Sequence, residues 1–386
     1  MLNTYSPFDE KIHIYGRTST WTMGALPLFW TGSGVEFMTD GGEVWLDLES
    51  EYVLREEWIR VEVDGFCIQR CMVQKGRSKV CLFRGFSKDT VRRVRVLKEV
   101  QPKEEDVDRY FLVHGILCDG KLYDVPEKPY RIEIIGDSLS SGEGLSGDRS
   151  LISSCSGVFG LEGHYGIAVA DHFCADFRIM SMSGWGVYCA CNNSLYRTLP
   201  RYYEQVCGVI SGEKNLKRGA GELHDFNTWQ PDVVIVNLGS NDSFAPDSEP
   251  WINPEDGSVW KQCWKIPEGQ KEWTHVWNEP AELDEISAQR FEQAVVDFLK
   301  KLRRNNPGAY LLWAYGMITH IMCPYLENAV RRYREETGDL SAEFISLPAV
   351  KDEWMGSNNH PGKPSHQAAA QVLIQKISDL WQKGYV

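Results

Sequence analysis

The first third of the chain alternates apolar and polar residues over short runs. Ile59, Val61 and Val63 alternate with Arg60 and Glu62, and this period of two predicts a β-strand with one face toward a core and the other toward water. Turn residues separate this run from similar runs, which are KIHIYGRTS, LPLFWTGSGVEFMTD, EVWLDLES, KVCLF, TVRRVRVLKEV and YFLVHGILCDG. Short strands without intervening helices predict that residues 1–125 form a β-sandwich of the jelly-roll type.

The pattern changes after the segment PEKPY at residues 126–130, which we interpret as a linker. Continuous apolar runs typical of a buried parallel sheet follow, namely RIEIIGDS, FRIMSMSG, DVVIVNLGS, AYLLWAYGM and AEFISLP. Between and after them lie runs with helical periodicity, namely HYGIAVADHF, SAQRFEQAVVDFLKKLRRNN, CPYLENAVRRYREETG and PSHQAAAQVLIQKISDLWQK. This alternation predicts a three-layer α/β/α domain with a parallel sheet over residues 126–386, and an active site at the carboxyl ends of its strands.

The composition and net charge of the chain indicate which classes of binding partner to expect. A chain of 386 residues favours two domains, and its formal charge of −13, from 41 basic and 54 acidic side chains, disfavours binding to nucleic acid or to an anionic membrane. There is no apolar run of the roughly 18 residues that span a bilayer, and the first residues lack the pattern of a secretory signal. We therefore expect a cytoplasmic protein without a nucleic-acid or membrane partner. The oligomeric state is left open.

The cysteine pattern bears on cofactors. The 11 cysteines are scattered and form no CxxC pair, so neither a disulfide framework nor a zinc site is indicated. No other cluster of residues requires a metal ion, and we expect no metal and no cofactor.

Ser138 is the first candidate for chemistry. It lies in Gly136-Asp137-Ser138-Leu139, directly after the first buried strand of the second region. An open α/β sheet presents a nucleophile at this place, on a turn into a helix. A serine needs a base within hydrogen-bond reach to become a nucleophile. The alternative is a serine that only stabilises its turn.

Two further turns follow buried strands and offer hydrogen-bond donors. Gly184 lies in SMSGWG, and its backbone N–H could bind a developing oxyanion. Asn241 lies in NLGSND, and its side-chain amide could do the same. Each turn alone could be a simple Asn, Asp or Gly turn, but three such turns in succession favour a catalytic site over that alternative.

His360 is the candidate base. It lies in Asn358-Asn359-His360-Pro361, just before the last predicted helix, from which it could reach the serine and relay its proton. His366 at the start of that helix is the rival, and Pro361 restrains the loop around His360 more tightly.

Together these stretches resemble the SGNH, or GDSL, hydrolase superfamily. The resemblance covers residues 131–386 and implies Ser138 as the nucleophile, His360 as the base, and an oxyanion hole formed by the N–H groups of Ser138 and Gly184 and by the side chain of Asn241. With a preceding β domain, GRT and FWTGSGVEF near the start and HPGKPSHQAAAQVL near the end, the whole chain resembles carbohydrate esterase family two. That family implies a jelly-roll N-terminal domain and removal of acetyl groups from xylan, glucomannan and related glycans, with a preference for primary esters.

One position departs from the SGNH pattern. The superfamily usually has an aspartate three residues before the histidine, and here Ser357 stands there. Some members of the resembled family use a Ser–His dyad in which a backbone carbonyl supports the histidine. We therefore predict a dyad with a carbonyl from residues 352–358, and Asp352 is the carboxylate alternative.

Tryptophans suggest where a sugar could bind. Residues 245–280 form a long Trp-rich insertion, and loops of this length often serve as lids or binding elements. We predict that Trp185, Trp260, Trp264 and Trp273 stack on pyranose rings, the alternative being that they pack the insertion onto the domain.

Together with these features, the resemblance to carbohydrate esterase family two predicts a carbohydrate O-acetyl esterase acting on acetylated xylo-, manno- or glucomanno-oligosaccharides. Two alternatives remain open. One is an SGNH lipase or thioesterase with a different ester, and the other is a glycan-binding protein with a decayed catalytic centre.

Overall fold

The computed structural model describes residues 2–21, 23–270, 274–276 and 279–385. Everything below refers to these residues.

The first region consists of eleven strands, which are β1 (Asn3–Tyr5), β2 (Ile12–Tyr15), β3 (Leu26–Pro27), β4 (Gly34–Thr39), β5 (Val44–Glu51), β6 (Glu57–Val63), β7 (Phe66–Val73), β8 (Gly76–Phe83), β9 (Arg92–Lys98), β10 (Tyr110–Cys118) and β11 (Leu122–Tyr123). One antiparallel sheet has the order β1-β10-β5-β8, with β3 also paired to β10. The second has the order β11-β4-β9-β6-β7, with β2 also paired to β4.

The two sheets share one apolar core, because each turns the apolar residues of its alternating strands inward. In β5, Val44, Leu46 and Leu48 are buried while the residues between them are partly exposed. Val61 and Val94 of the second sheet belong to the same buried cluster. The prediction of a two-sheet antiparallel sandwich is confirmed.

The second region is built on a five-stranded parallel sheet with the order β13-β12-β14-β17-β18. Its strands are β12 (Arg131–Gly136), β13 (Asp176–Ser181), β14 (Val233–Asn237), β17 (Tyr310–Met317) and β18 (Ala342–Ala349), while β15 (Trp251–Ile252) and β16 (Val259–Trp260) form a separate small hairpin. The helices are α1 (Tyr165–His172), α2 (Leu199–Tyr202), α3 (Glu213–Lys217), α4 (Ser240–Phe244), α5 (Glu285–Asn305), α6 (Cys323–Thr337) and α7 (Lys363–Gln382).

The helices cover both faces of this sheet. Phe291 and Val295 of α5 pack with α6 in one apolar cluster, whereas Val169 of α1 packs with Leu373 and Ile377 of α7 in another. Helices on both faces of a parallel sheet make the predicted three-layer α/β/α architecture, which is confirmed. In the part of the chain described here, no helix combines the length and the apolar character needed to cross a bilayer.

The sandwich packs directly against the parallel sheet. The rings of Tyr15 and Phe177 stack with centroids 4.6 Å apart, and the buried Arg17 Nη2 lies 3.0 Å from Glu133 Oε1 on β12. The two regions are therefore joined by a shared core, although β11 ends at Tyr123 and β12 begins only at Arg131.

Candidate active site

Three neighbouring strands of the parallel sheet end at the same edge. Because β12 lies between β13 and β14, the turns that follow these strands are adjacent, and they carry Ser138, Gly184 and Asn241. These three residues and His360, from the turn before α7, line one cleft of about 1470 Å³. The structure thus brings together the four residues that the sequence predicted for the chemistry.

Ser138 lies at the start of a tight loop. The N–H of Glu143 donates to the carbonyl of Ser138 at 3.0 Å, and that of Ser141 donates to the carbonyl of Asp137 at 3.0 Å. The next α-helix begins only at Tyr165, so the expected turn into a helix is a long loop instead. The Asp137 side chain accepts from the N–H of Leu139 at 3.1 Å, and burial raises the pKa of this carboxyl to about 7.

His360 is oriented by a backbone carbonyl. Its Nδ1 lies 2.7 Å from the carbonyl oxygen of Asn358, which accepts a hydrogen bond, so Nδ1 carries the proton and Nε2 is the basic nitrogen of the neutral ring. Asn358 and Asn359 have positive φ angles of 50° and 56°, which fold the chain back so that this carbonyl faces the ring. This is the support predicted from residues 352–358.

The two alternatives to this arrangement lie elsewhere. Asp352 is exposed and forms a salt bridge with Arg149, whose Nη2 lies 2.6 Å from Asp352 Oδ1. His366 is completely buried, and its Nδ1 accepts a hydrogen bond from the N–H of Tyr165 at 3.3 Å. Burial lowers the pKa of His366 far below its ordinary value. It does not line the cleft.

Two backbone N–H groups at the cleft are free to bind an anion. Within the described ranges, neither the N–H of Ser138 nor that of Gly184 donates a hydrogen bond. Gly184 has a φ of 81°, which favours glycine at this turn. Asn241 Nδ2 lies 2.9 Å from the carbonyl of Trp185 and 3.2 Å from Asp137 Oδ2, so in this conformation the amide contacts both the Gly184 turn and the serine loop.

The Ser138 hydroxyl makes no hydrogen bond to another described residue, His360 included. Catalytic hydrogen bonds are often long without substrate and tighten in the reacting complex. The four loops therefore surround one cleft, while the final contact between the hydroxyl and the imidazole is not formed in this conformation.

Two residues at the site were not singled out from the sequence. Asp242 is fully buried and accepts hydrogen bonds from the N–H groups of Val187, Tyr188 and Cys189 at 2.8–3.0 Å, which ties the Gly184 turn to the Asn241 turn. Burial raises the pKa of Asp242 to about 6. Glu143 lies in the cleft beside His360. Asp242 ends the motif NLGSND, and Glu143 lies in the segment SSGEG at residues 140–144, but the sequence does not show what either side chain contacts.

The sandwich also contributes to the site. Gln101 Oε1 accepts from the N–H of Ser183 at 2.8 Å and from Ser141 Oγ at 2.5 Å. One side chain of the first region thus holds the loops of Ser138 and Gly184 together.

The predicted sugar-stacking tryptophans require a correction. The indole of Trp185 is only 3% exposed and packs against Tyr202 in the core, so it offers no face to a sugar. Trp260 packs under the Arg290 guanidinium, and Trp264 Nε1 donates to Asp247 Oδ1 at 2.8 Å. Neither lines the cleft, because among the described residues of the insertion only Glu279 and Pro280, at its end, lie there. Trp273 lies outside the described residues.

The functional groups at this site are those that acyl transfer requires. Among the residues that the structure describes, no three His, Cys, Asp or Glu side chains are grouped so as to hold a metal ion. A serine, a histidine with a basic nitrogen and free N–H donors at the carboxyl edge of a parallel sheet define the class of α/β serine hydrolases.

Comparison with known proteins identifies the family. The family model for GDSL-like lipases and acylhydrolases matches residues 132–346, more than half of the chain. The chain belongs to this family, and it is a carboxylic ester hydrolase.

Similar proteins cover both regions. An acetyl xylan esterase from the rumen bacterium Butyrivibrio proteoclasticus is 34% identical, with a TM-score of 0.92 over 100% of this chain and 99% of that one. A family two carbohydrate esterase from Clostridium thermocellum, solved in complex with cellohexaose, is 20% identical, with a TM-score of 0.76 over 97% of this chain and 100% of that one. The Cellulase/esterase CelE of Acetivibrio thermocellus is 23% identical over 91% of this chain, which spans only 37% of the length of that relative.

Proposed function

We propose that this protein is a carbohydrate esterase that removes acetyl groups from acetylated xylo-, manno- or glucomanno-oligosaccharides, with Ser138 as nucleophile and His360 as base. The observation that carries the proposal is the orientation of His360. Its Nδ1–H donates to the carbonyl of Asn358 at 2.7 Å, which leaves Nε2 as the acceptor for a serine proton.

Acylation begins with attack by Ser138. His360 Nε2 takes the hydroxyl proton as Oγ forms a bond to the acetyl carbon, and the carbonyl oxygen becomes an oxyanion. The free N–H groups of Ser138 and Gly184 are two donors for this oxyanion. The Asn241 amide is the third, and it exchanges its longer hydrogen bond, the one to Asp137 Oδ2, for the oxyanion. The oxyanion then collapses, the bond between the acetyl carbon and the sugar oxygen breaks, and His360 returns the proton to that oxygen.

Deacylation repeats these steps with water. His360 Nε2 takes a proton from water, whose oxygen attacks the acetyl-enzyme through a second oxyanion. The bond to Oγ breaks, acetic acid leaves, and the proton on His360 restores the serine hydroxyl. The net reaction is hydrolysis of one ester bond.

Cleft size and the relatives support a carbohydrate ester. The cleft of about 1470 Å³ exceeds the roughly 300–1,000 Å³ of an ordinary ligand pocket and has room for sugar residues beyond an acetyl group. Residues of both regions line it, among them Arg55 of the sandwich and Glu143 of the serine loop. The relatives named above include an acetyl xylan esterase and an esterase that binds cellohexaose.

The test is acetate release from acetylated xylo- and manno-oligosaccharides by the wild type and by Ser138→Ala. We expect Ser138→Ala to lose at least about 10⁴-fold in kcat, because the acyl-enzyme cannot form. Ser150→Ala is the matched control, since Ser150 is exposed and its hydroxyl contacts only Asp148. Near wild-type hydrolysis by Ser138→Ala would refute the assignment.

Chain-length profiling separates the acetyl ester from other esters. We expect kcat/KM for p-nitrophenyl esters to be highest for acetate and to fall with each added methylene. A maximum at a medium or long acyl chain would instead favour the lipase or thioesterase alternative.

A further inference from the structure

A buried carboxylate lies on the reactive side of His360. Glu143 follows Ser138 by five positions on the same loop and is 5% exposed. Its Oε2 lies 3.7 Å from His360 Nε2, the nitrogen opposite the one that the Asn358 carbonyl supports. This distance exceeds that of a hydrogen bond.

The same carboxylate contacts the other functional loops. Glu143 Oε1 accepts from Asn358 Nδ2 at 2.7 Å, and Asn358 is the residue whose carbonyl orients His360. Glu143 Oε2 accepts from Ser183 Oγ at 2.6 Å, and Ser183 precedes Gly184. One side chain therefore joins the serine loop, the histidine turn and the turn of the oxyanion glycine.

The proposed proton transfer from Ser138 to His360 requires a negative charge near the imidazole to stabilise its protonated form. When Ser138 transfers its proton to Nε2, the imidazole becomes a cation, and on its Nδ1 side it meets only an uncharged carbonyl. Among the residues described here, the carboxylate within salt-bridge distance of His360 is that of Glu143. At this separation in a partly desolvated cleft, opposite charges attract strongly.

We propose that Glu143 is a positioning residue for the reaction, which stabilises the imidazolium form of His360 and fixes the turn that carries the Asn358 carbonyl. It acts from the Nε2 side in place of the aspartate that is absent on the Nδ1 side, where Ser357 stands. This inference rests on the proposed function, because it concerns the proton transfer of that reaction.

Glu143→Gln separates charge from hydrogen bonding. Glutamine has the same shape, its Oε1 can accept from Asn358, and its amide can donate to Ser183, whose hydroxyl can rotate. Only the negative charge is lost. Glu143→Ala removes the hydrogen bonds as well, and Glu335→Gln on the exposed face of α6 is the control for loss of one surface charge.

The experiment measures kcat and KM for acetate release by the wild type and these variants, with thermal unfolding of each. We expect Glu143→Gln to lower kcat about 10- to 100-fold with KM changed less than about threefold, because only the charged transition state loses stabilisation. Glu143→Ala should lose more, and Glu335→Gln should match the wild type. Wild-type kcat in Glu143→Gln would overturn the proposal, even if Glu143→Ala were slow.

A second pair of variants covers the case in which Glu143→Gln does not fold. Glu143→Asp and Glu143→Asn have one shape and differ in charge, and we expect the aspartate variant to be about tenfold faster. Equal rates would overturn the proposal. A wild type that releases no acetate would instead refute the proposed function, so the two failures are distinguishable.

Discussion

The turn after β14 and the insertion that follows it are neighbours in sequence but differ in structure. In the turn, Ser240, Asn241 and Asp242 are all buried, as is Asn237 at the end of β14. In the insertion, Ile252 and Val259 are each 64% exposed. Its described tryptophans contact Tyr196, Arg290 or Asp247, and none of them lines the cleft.

The difference shows what kind of sequence signal locates a site. A motif at the end of a buried parallel strand is held in place by the sheet, since adjacent strands must end side by side. A high content of tryptophan in a loop, in contrast, does not show whether the side chains face the cleft or pack against the domain. Residues of the same type in the two regions therefore form matched pairs that test the contrast.

The histidines give the largest expected effect. We expect His360→Gln to lower kcat at least about 10⁴-fold, because the serine loses its base. His275→Gln in the insertion should retain wild-type kcat, since His275 contacts Asp247 and does not line the cleft. Steady-state kinetics with p-nitrophenyl acetate measure both variants. Equal losses of kcat would show that the two histidines do not differ in function.

The asparagines come next. Removing one oxyanion donor typically costs about 10²–10³ in kcat, and we expect this loss in Asn241→Ala with little change in KM. Asn253→Ala in the insertion should show no such loss, because Asn253 Oδ1 only accepts from Tyr196 and from the N–H of Glu255. If the loss in Asn241→Ala appeared in KM alone, Asn241 would bind the ground state and not the oxyanion.

Two glycines with positive φ angles differ in what an added Cβ would contact, and substituting them separates backbone strain from displacement of His360. Gly144 has a φ of 92°, and a Cβ there would lie 2.6 Å from His360 Cβ and 3.0 Å from the Pro361 carbonyl oxygen. Gly257 has a φ of 71° and no atom within 4 Å of such a Cβ. Both alanine variants should lose about 1–2 kcal/mol of unfolding free energy from the left-handed backbone.

Only Gly144→Ala should also lose activity. Displacing His360 by about 1 Å can cost roughly 10²-fold in kcat. Denaturant unfolding and acetate-release kinetics on the two variants separate the effects. Unchanged kcat in Gly144→Ala would show that the position of His360 tolerates movement.

The tryptophans should give the smallest effect. We expect Trp260→Ala and Trp264→Ala to change kcat/KM for acetylated oligosaccharides less than about twofold, because neither side chain lines the cleft. Oligosaccharide and p-nitrophenyl acetate should respond alike. A selective loss on the oligosaccharide would restore the stacking role that we predicted from the sequence.

Much of the fold could be predicted because its strands and helices have strong periodicity. The run DVVIVNLGS contains β14, and the run SAQRFEQAVVDFLKKLRRNN falls within α5 except for its last residue. The strand-end turns located Ser138, Gly184 and Asn241, and the proline after His360 favoured that histidine over His366.

Side-chain direction could not be predicted in the same way. Trp185 directly follows Gly184, in a turn that the sequence predicts to lie at the cleft. The chain reverses at this turn, where the N–H of Trp185 donates to the carbonyl of Met182, and the indole is buried in the core. The contacts of Glu143 join three segments that lie as far apart as residues 143, 183 and 358, and only the folded chain brings them together. Asp242 is similar, since its three partners are backbone N–H groups that carry no sequence signal.

The most direct test of the central claim is to locate the acyl-enzyme. Brief mixing with p-nitrophenyl acetate, an acid quench, digestion and mass spectrometry would show which residue carries the acetyl group. The account predicts one acetyl group on Ser138 in the wild type and none in Ser138→Ala. Acetate release without any acetyl group on Ser138, or with the group on another residue, would contradict it.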